Sequence, residues 1–160
     1  MTIRIHEIYI RATAEAIWEA ITSPEWTARY GYAAPAHYEL RPGGSFRQSA
    51  TAQMRQYGLP ETIIDGEVLE ANPPYKLVQT YRWLFTDESR AEGYTRLTYE
   101  ITPTHAGFCR LAITHDQGNA PTMANATNQP FNERGGGGWN WILSDLKTLL
   151  ETGHTMSTHA

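Results

Sequence analysis

GGGGWNWILSDLKTLLETG, residues 135–153, is the stretch whose periodicity decides the architecture. Trp139, Ile142, Leu143, Leu146, Leu149 and Leu150 recur at i, i+3, i+4, i+7, i+10 and i+11. That spacing draws one apolar stripe along a helix of about four turns. Asn140, Ser144, Asp145, Lys147, Thr148 and Glu151 fall on the other face, read as the polar one. Gly153 stands where a left-handed C-cap is wanted, and the glycine run at 135–138 predicts a pliable, hinge-like approach to the helix. So apolar a helix needs a broad surface to bury itself against, and most of the chain before it reads as β-strand.

Upstream, Ile3 to Ile10 (IRIHEIYI) is rich in β-branched residues and predicts a first strand. Its alternation slips phase between Ile3/Ile5 and Ile8/Ile10, which predicts a bulge or a strand covered on both faces. Thr13 offers an N-cap to AEAIWEAI, and Ser23-Pro24 starts a second short helix with Ser as cap and Pro in the first turn. Strand-like segments follow at 37–40, 45–52, 62–70, 75–85, 95–102 and 108–115, separated by turn signals such as Arg41-Pro42-Gly43-Gly44 and Asn72-Pro73-Pro74. Residues 53–60 read as irregular, Asp87 to Gly93 as a polar loop, and 117–134 as a longer one.

In 95–102 the residues Leu97, Tyr99 and Ile101 share one face; in 108–115 Cys109, Leu111, Ile113 and His115 do. Such alternation marks an antiparallel sheet with one face buried and one wet. The predicted class is α+β: one strand, two short helices, about six further antiparallel strands and one long helix. A sheet of that size hides both apolar surfaces by wrapping the helix, and the wrap leaves room for a small ligand between them.

Length and composition agree with one domain over 1–153 and a frayed tail over 154–160. The formal net charge is −4 and only Lys76 and Lys147 are lysines among thirteen Lys and Arg, so no basic stripe speaks for nucleic acid. Cys109 is the single cysteine, reads as a packed thiol, and fits a reducing compartment. Arg4, Glu7 and Arg11 interrupt the N-terminal apolar run, so no signal peptide and no membrane partner are expected, and a cytoplasmic location is.

Several motifs, in this order, resemble the START-like or SRPBCC superfamily, the helix-grip fold: YIRATAEAIWEAIT (9–22) with Pro24-Glu25, RPGGSFR (41–47), GEVLEANPPYKLVQTYRW (66–83), LTYEITP (97–103), LAITHD (111–116) and GGWNWILSDLKTLLETG (137–153). The set is most similar to the bacterial branch related to the C-terminal domain of the heat-shock-protein-90 ATPase activator. The resemblance implies a curved seven-stranded antiparallel sheet around a long C-terminal helix, two short helices closing one end, and a cavity that holds a hydrophobic or aromatic small molecule. Some relatives are ring-closing enzymes and others bind lipids or hormones; the family name transfers no co-chaperone role.

His115 is the best catalytic candidate, because it follows the inward Leu111 and Ile113 and imidazole titrates near neutral pH. Its other reading is structural, a ring that orders a loop or a helix end. The expected ligand wall is Tyr30, Tyr32, Tyr38, Phe46, Tyr81, Trp83, Tyr99, His115, Trp139 and Leu143, with Trp26, Tyr57 and Phe85 in the wider aromatic set. Trp141 lies about opposite Trp139 on the helix and is left out of that wall. Histidines at 6, 37, 105, 115, 154 and 159 form no ligand pair within an element, so no metal and no cofactor is expected. Neither a nucleophile elbow nor a phosphate loop is present, and Asp65, Glu67 and Glu70 read as the wet face of a strand.

Three functions compete at this point. The first is a non-enzymatic binder of a small hydrophobic or aromatic molecule, acting as carrier, sensor or stress-response module. The second is a cyclase- or hydrolase-like enzyme using His115 on a polyketide-like substrate. The third is a chaperone-linked or homodimeric interaction module. A wall of apolar side chains argues against the enzyme, a polar cluster around His115 argues for it, and a cavity filled by its own side chains removes the binder.

Overall fold

The alternating segments build the middle of the sheet. The computed structural model describes residues 2–131, 133 and 137–156. In it, β6 (Thr95–Pro103) and β7 (Cys109–Asp116) pair antiparallel from Arg96↔Asp116 to Pro103↔Cys109. Leu97, Ile101, Cys109, Leu111, Ile113 and His115 are all buried on the inner side. Around this pair stand β1 (Ile3–Ile10), β2 (Ala36–Tyr38), β3 (Ser45–Ser49), β4 (Thr62–Asn72) and β5 (Lys76–Trp83). The seven strands form one curved antiparallel sheet in the order β1-β7-β6-β5-β4-β3-β2.

The first strand takes a course its phase slip did not foretell. β1 pairs with β7 without a break from Ile3↔Asp116 to Ile10↔Cys109. Neither a bulge nor a second cover explains its isoleucines: Ile10 faces the core, whereas Ile3 and Ile5 point outward, 54% and 66% exposed on an edge strand.

After β1 come α1 (Ala14–Thr22) and α2 (Pro24–Thr27). The Thr13 hydroxyl accepts from the Ala16 N–H at 3.1 Å, the expected cap. Ser23 does not cap α2 through its side chain; its hydroxyl donates to Glu25 instead, at 2.6 Å, and Pro24 alone marks that helix start. Helix α1 buries Ile17, Trp18, Ala20 and Ile21 and touches both β2 and β6.

Three segments read as irregular or as loops contain short helices. α3 (Ala52–Gln56) replaces the end of the strand expected to 52, because the Thr51 hydroxyl captures the Met54 N–H at 3.2 Å. α4 (Asp87–Ala91) stands in the polar loop, where Thr86 and Ser89 form a reciprocal capping box and Asp87 and Glu88 favour the positive helix end. α5 (Pro121–Thr127) is capped from elsewhere in the chain: Glu92, just past α4, accepts from the Thr122 N–H at 2.8 Å.

The long helix is α6 (Gly138–Thr152), ended by Gly153 in the left-handed conformation with its N–H on the Leu149 carbonyl at 2.8 Å. Of the glycine run, Gly135 and Gly136 lie outside the described residues, as do 157–160 of the expected tail. Gly138 is needed sterically: its φ is +58° and a Cβ there would overlap the carbonyl oxygen of Thr127. Trp139, Leu143, Leu146 and Leu149 are buried as the stripe requires, and Ile142 and Leu150 pack at its margin.

Asp145 departs from the polar face. It is 1% exposed, accepting from the Gly31 N–H through Oδ2 and from the Met156 N–H through Oδ1, each at 2.8 Å. A carboxylate is tolerated there because both oxygens replace water with backbone donors.

Candidate functional site

The curled sheet does not close completely on α6. A cavity of about 320 Å³ remains between them, within the size range of small-molecule sites. Its floor is sheet: Tyr38 from β2, Phe46 from β3, Ile63 and Ile64 from β4, Tyr81 and Trp83 from β5, Tyr99 from β6, Leu111 and Ile113 from β7. Its roof is α6, through Trp139, Ile142, Leu143 and Leu146. The loop after α2 adds Tyr30 to Ala34, and α5 adds Ala126 and Thr127.

Of the ten residues expected to form the wall, Tyr30, Tyr32, Tyr38, Phe46, Tyr81, Trp83, Tyr99, Trp139 and Leu143 are brought together around this cavity. Five of their rings form a continuous set. Tyr38 and Phe46 lie 4.7 Å apart between centroids, Phe46 stacks near-parallel on Tyr81 at 6.2 Å, and Tyr81 is 6.0 Å from Trp139, which meets Tyr99 edge-on at 6.3 Å. Phe85 also lines the space, packed on Trp83. Trp26 and Tyr57 do not: Arg29 lies over the Trp26 ring and Tyr57 is 80% exposed. Trp141 stays outside the wall and packs on Tyr32 at 5.3 Å.

His115 is brought near the wall but not into it. It is fully buried, with its ring edge-on to those of Tyr81 and Trp139. The Trp139 Nε1–H has no other role than donor, so His115 Nδ1 accepts it, at 3.2 Å. Nε2 therefore carries the proton and donates to Thr95 Oγ1 at 2.8 Å, while the Thr95 hydroxyl donates to the Tyr81 carbonyl at 2.8 Å. Every polar atom of the relay is satisfied by the neutral imidazole. Burial pushes its pKa down to about 4, with His6 adding to the shift. The ring thus ties β7 to α6 and to β6 at the back of the cavity.

Four of the wall's tyrosine hydroxyls are held protonated. Burial raises Tyr30, Tyr38, Tyr81 and Tyr99, Tyr81 to about 12. Tyr30 donates to the Ala20 carbonyl at 2.8 Å and Tyr38 to the Gln79 side-chain oxygen at 2.7 Å. Tyr81 accepts a long bond from the Trp83 indole at 3.4 Å. No charged side chain is among the described residues of the wall. Asp65 is instead bound through both oxygens to Arg82, at 2.9 and 2.7 Å, and Glu70 pairs with Lys76, away from the cavity.

Sequence reading missed Gln79, Thr95 and Asp145, whose burial follows from partners far along the chain, and the α5 part of the wall, where the polar composition concealed a helix. Burial pushes the Cys109 thiol up, which disfavours the reactive thiolate. Among the described residues no three His, Cys, Asp or Glu side chains come together as a metal site, and no helix is long and apolar enough to cross a membrane.

The family described as activator of Hsp90 ATPase homolog 1-like protein matches residues 11–151. No curated protein matches the chain significantly. Among solved structures, protein MLL2253 of Mesorhizobium loti is 20% identical with a TM-score of 0.68, covering 94% of this chain and 97% of its own. The Aha1 dimer of Colwellia psychrerythraea is 17% identical with a TM-score of 0.64, covering 96% of this chain and 98% of its own. CalU16 of Micromonospora echinospora is 18% identical with a TM-score of 0.54; the match covers 76% of this chain and only 63% of CalU16. At these identities the likeness establishes the fold.

Proposed function

The chain belongs to the activator of Hsp90 ATPase homolog 1-like family, and from that premise we propose that it is a non-enzymatic binder of one small hydrophobic or aromatic molecule, held between the sheet and α6. The observation that carries this reading is the unfilled, aromatic, uncharged cavity of about 320 Å³. Ordinary interiors close-pack to gaps no larger than a water, so a space of this size in a wall of rings supports an occupant. The nine converging wall residues are its proposed contacts, and residues 1–153 its domain.

Enzymatic use of His115 is not favoured. Both ring nitrogens are engaged by Trp139 and Thr95, so among the described residues neither hydrogen-bond partner of the ring is a carboxylate or a tyrosine hydroxyl. The proposed role is that of a carrier, sensor or stress-response module, and the single free thiol supports a cytoplasmic location as part of the proposal. Native mass spectrometry of protein purified without added ligand tests the reading. A co-purified small molecule lost from Leu143→Trp supports it, whereas retention of that molecule by the filled variant would move the site elsewhere.

Homodimerisation is a second proposal, favoured by the exposed Ile3, Ile5 and Tyr9 on the open edge strand β1. Light scattering of the purified protein decides it: a monomer at high micromolar concentration removes the proposal, and a dimer dispersed by Ile5→Lys upholds it.

A further inference from the structure

The cavity's chemistry defines its occupant more narrowly than size and greasiness do. Charge is the first restriction. With no ionised group among the described wall residues, a carboxylate or ammonium entering the space would shed its water without gaining a counter-charge, at a cost far above that of a neutral group.

Hydrogen bonding is the second restriction. The Tyr30 hydroxyl is committed to the Ala20 carbonyl and the Tyr38 hydroxyl to Gln79. Tyr81 differs from both. Its oxygen accepts from the Trp83 indole, but among the described residues its hydroxyl proton has no acceptor. Burial keeps that proton in place, since it pushes the Tyr81 pKa up to about 12. The Tyr81 ring also sits in the middle of the aromatic set, against Phe46, Trp139 and His115. A buried phenol that accepts but does not donate is an incomplete group, and a ligand oxygen completes it.

We infer that the ligand is an uncharged aromatic molecule carrying an acceptor oxygen, such as a ketone or ether, and that Tyr81 is the residue that selects it. The inference rests on the binder reading above and narrows it. At about 320 Å³ the space lies at the small end of ligand sites, which suits one- or two-ring molecules.

Three two-ring probes of matched shape separate the possibilities by equilibrium dialysis: 2-acetylnaphthalene, 2-isopropylnaphthalene and 2-naphthoate. The native protein should bind the ketone at least about a hundredfold more tightly than the carboxylate, since an unpaired buried charge costs several kcal/mol. Tyr81→Phe should weaken the ketone by about tenfold, the worth of one hydrogen bond, and change the hydrocarbon by less than about twofold. Equal affinity for ketone and carboxylate would overturn the charge restriction with no variant needed. An equal loss for ketone and hydrocarbon in Tyr81→Phe would reduce Tyr81 to a packing residue and overturn its selecting role. In either case, binding of the hydrocarbon leaves the binder reading standing. Failure of both neutral probes to bind the native protein would remove that reading and this inference together.

Discussion

The relay through His115 predicts a pH-dependent stability large enough to isolate. The imidazole is neutral in the fold, with its pKa down at about 4, while the unfolded chain carries a histidine near its ordinary 6.5. Between these values the unfolded state binds the extra proton, so stability is complete above pH 6.5 and falls as pH drops toward 4. Linkage at pH 5 gives a loss of about 2 kcal/mol relative to pH 7, about a quarter of a typical domain's stability. Other groups titrate over the same range, so the comparison must be differential. His115→Gln keeps an N–H donor for Thr95 and cannot take up the proton; it should be less stable than the native protein at pH 7, because the Trp139 indole loses its acceptor. Its further loss on going to pH 5 should be smaller than the native protein's by about 2 kcal/mol. Urea unfolding followed by tryptophan fluorescence at half-unit steps from pH 7 to 5 measures both. Parallel curves for the two proteins would refute the neutral, doubly bonded imidazole on which the account of the site depends.

Two other perturbations test the rest of the site. Leu143 is 2% exposed and faces the cavity, so Leu143→Trp should place its extra volume in existing space, keep most of the fold's stability and abolish uptake of 2-acetylnaphthalene. A collapse of the melting transition would show instead that the space is filled in solution by its own side chains. Asp145→Ala strips the acceptors from the Gly31 and Met156 N–H groups and should cost about 2–4 kcal/mol in urea unfolding. Asp145→Asn, which retains one acceptor oxygen, should lose clearly less; a loss under about 0.5 kcal/mol for the alanine variant would mean that water replaces the carboxylate.

Much of the fold was open to reading along the chain because its determinants are local. The stripe from Trp139 to Leu150 has helical spacing wherever the helix lies, Gly153 caps it through its own φ of +82°, and the alternation of 95–102 and 108–115 sorts side chains by face before any strand has a partner. Most of the aromatic wall was legible for the same reason, since every ring but those of Tyr30 and Tyr32 in the loop after α2 lies on a strand or helix face whose direction is set locally. The short helices α3 and α4 were within reach as well: Thr51 and Thr86 are local caps, outweighed by the polar composition around them.

Other features exist only once distant segments meet. Glu92 caps α5 across about thirty residues, and no pattern within 117–134 records it. Asp145 sits at a polar position by periodicity, and only the arrival of Gly31 and Met156 makes a buried carboxylate tolerable. His115 shows an inward-facing histidine in the sequence, while its protonation is decided by the Trp139 indole and the Thr95 hydroxyl. The cavity is the most tertiary feature of all. Periodicity states which side chains face inward, but the volume left between sheet and helix is a small difference between large packed surfaces, settled by how far the sheet curls. Sequence by itself determined the strands, the first two helices, the long helix, their order and the aromatic character of the wall; the tertiary structure decided that the wall encloses a space, that His115 stands behind it, and that among the described residues the Tyr81 hydroxyl proton has no acceptor.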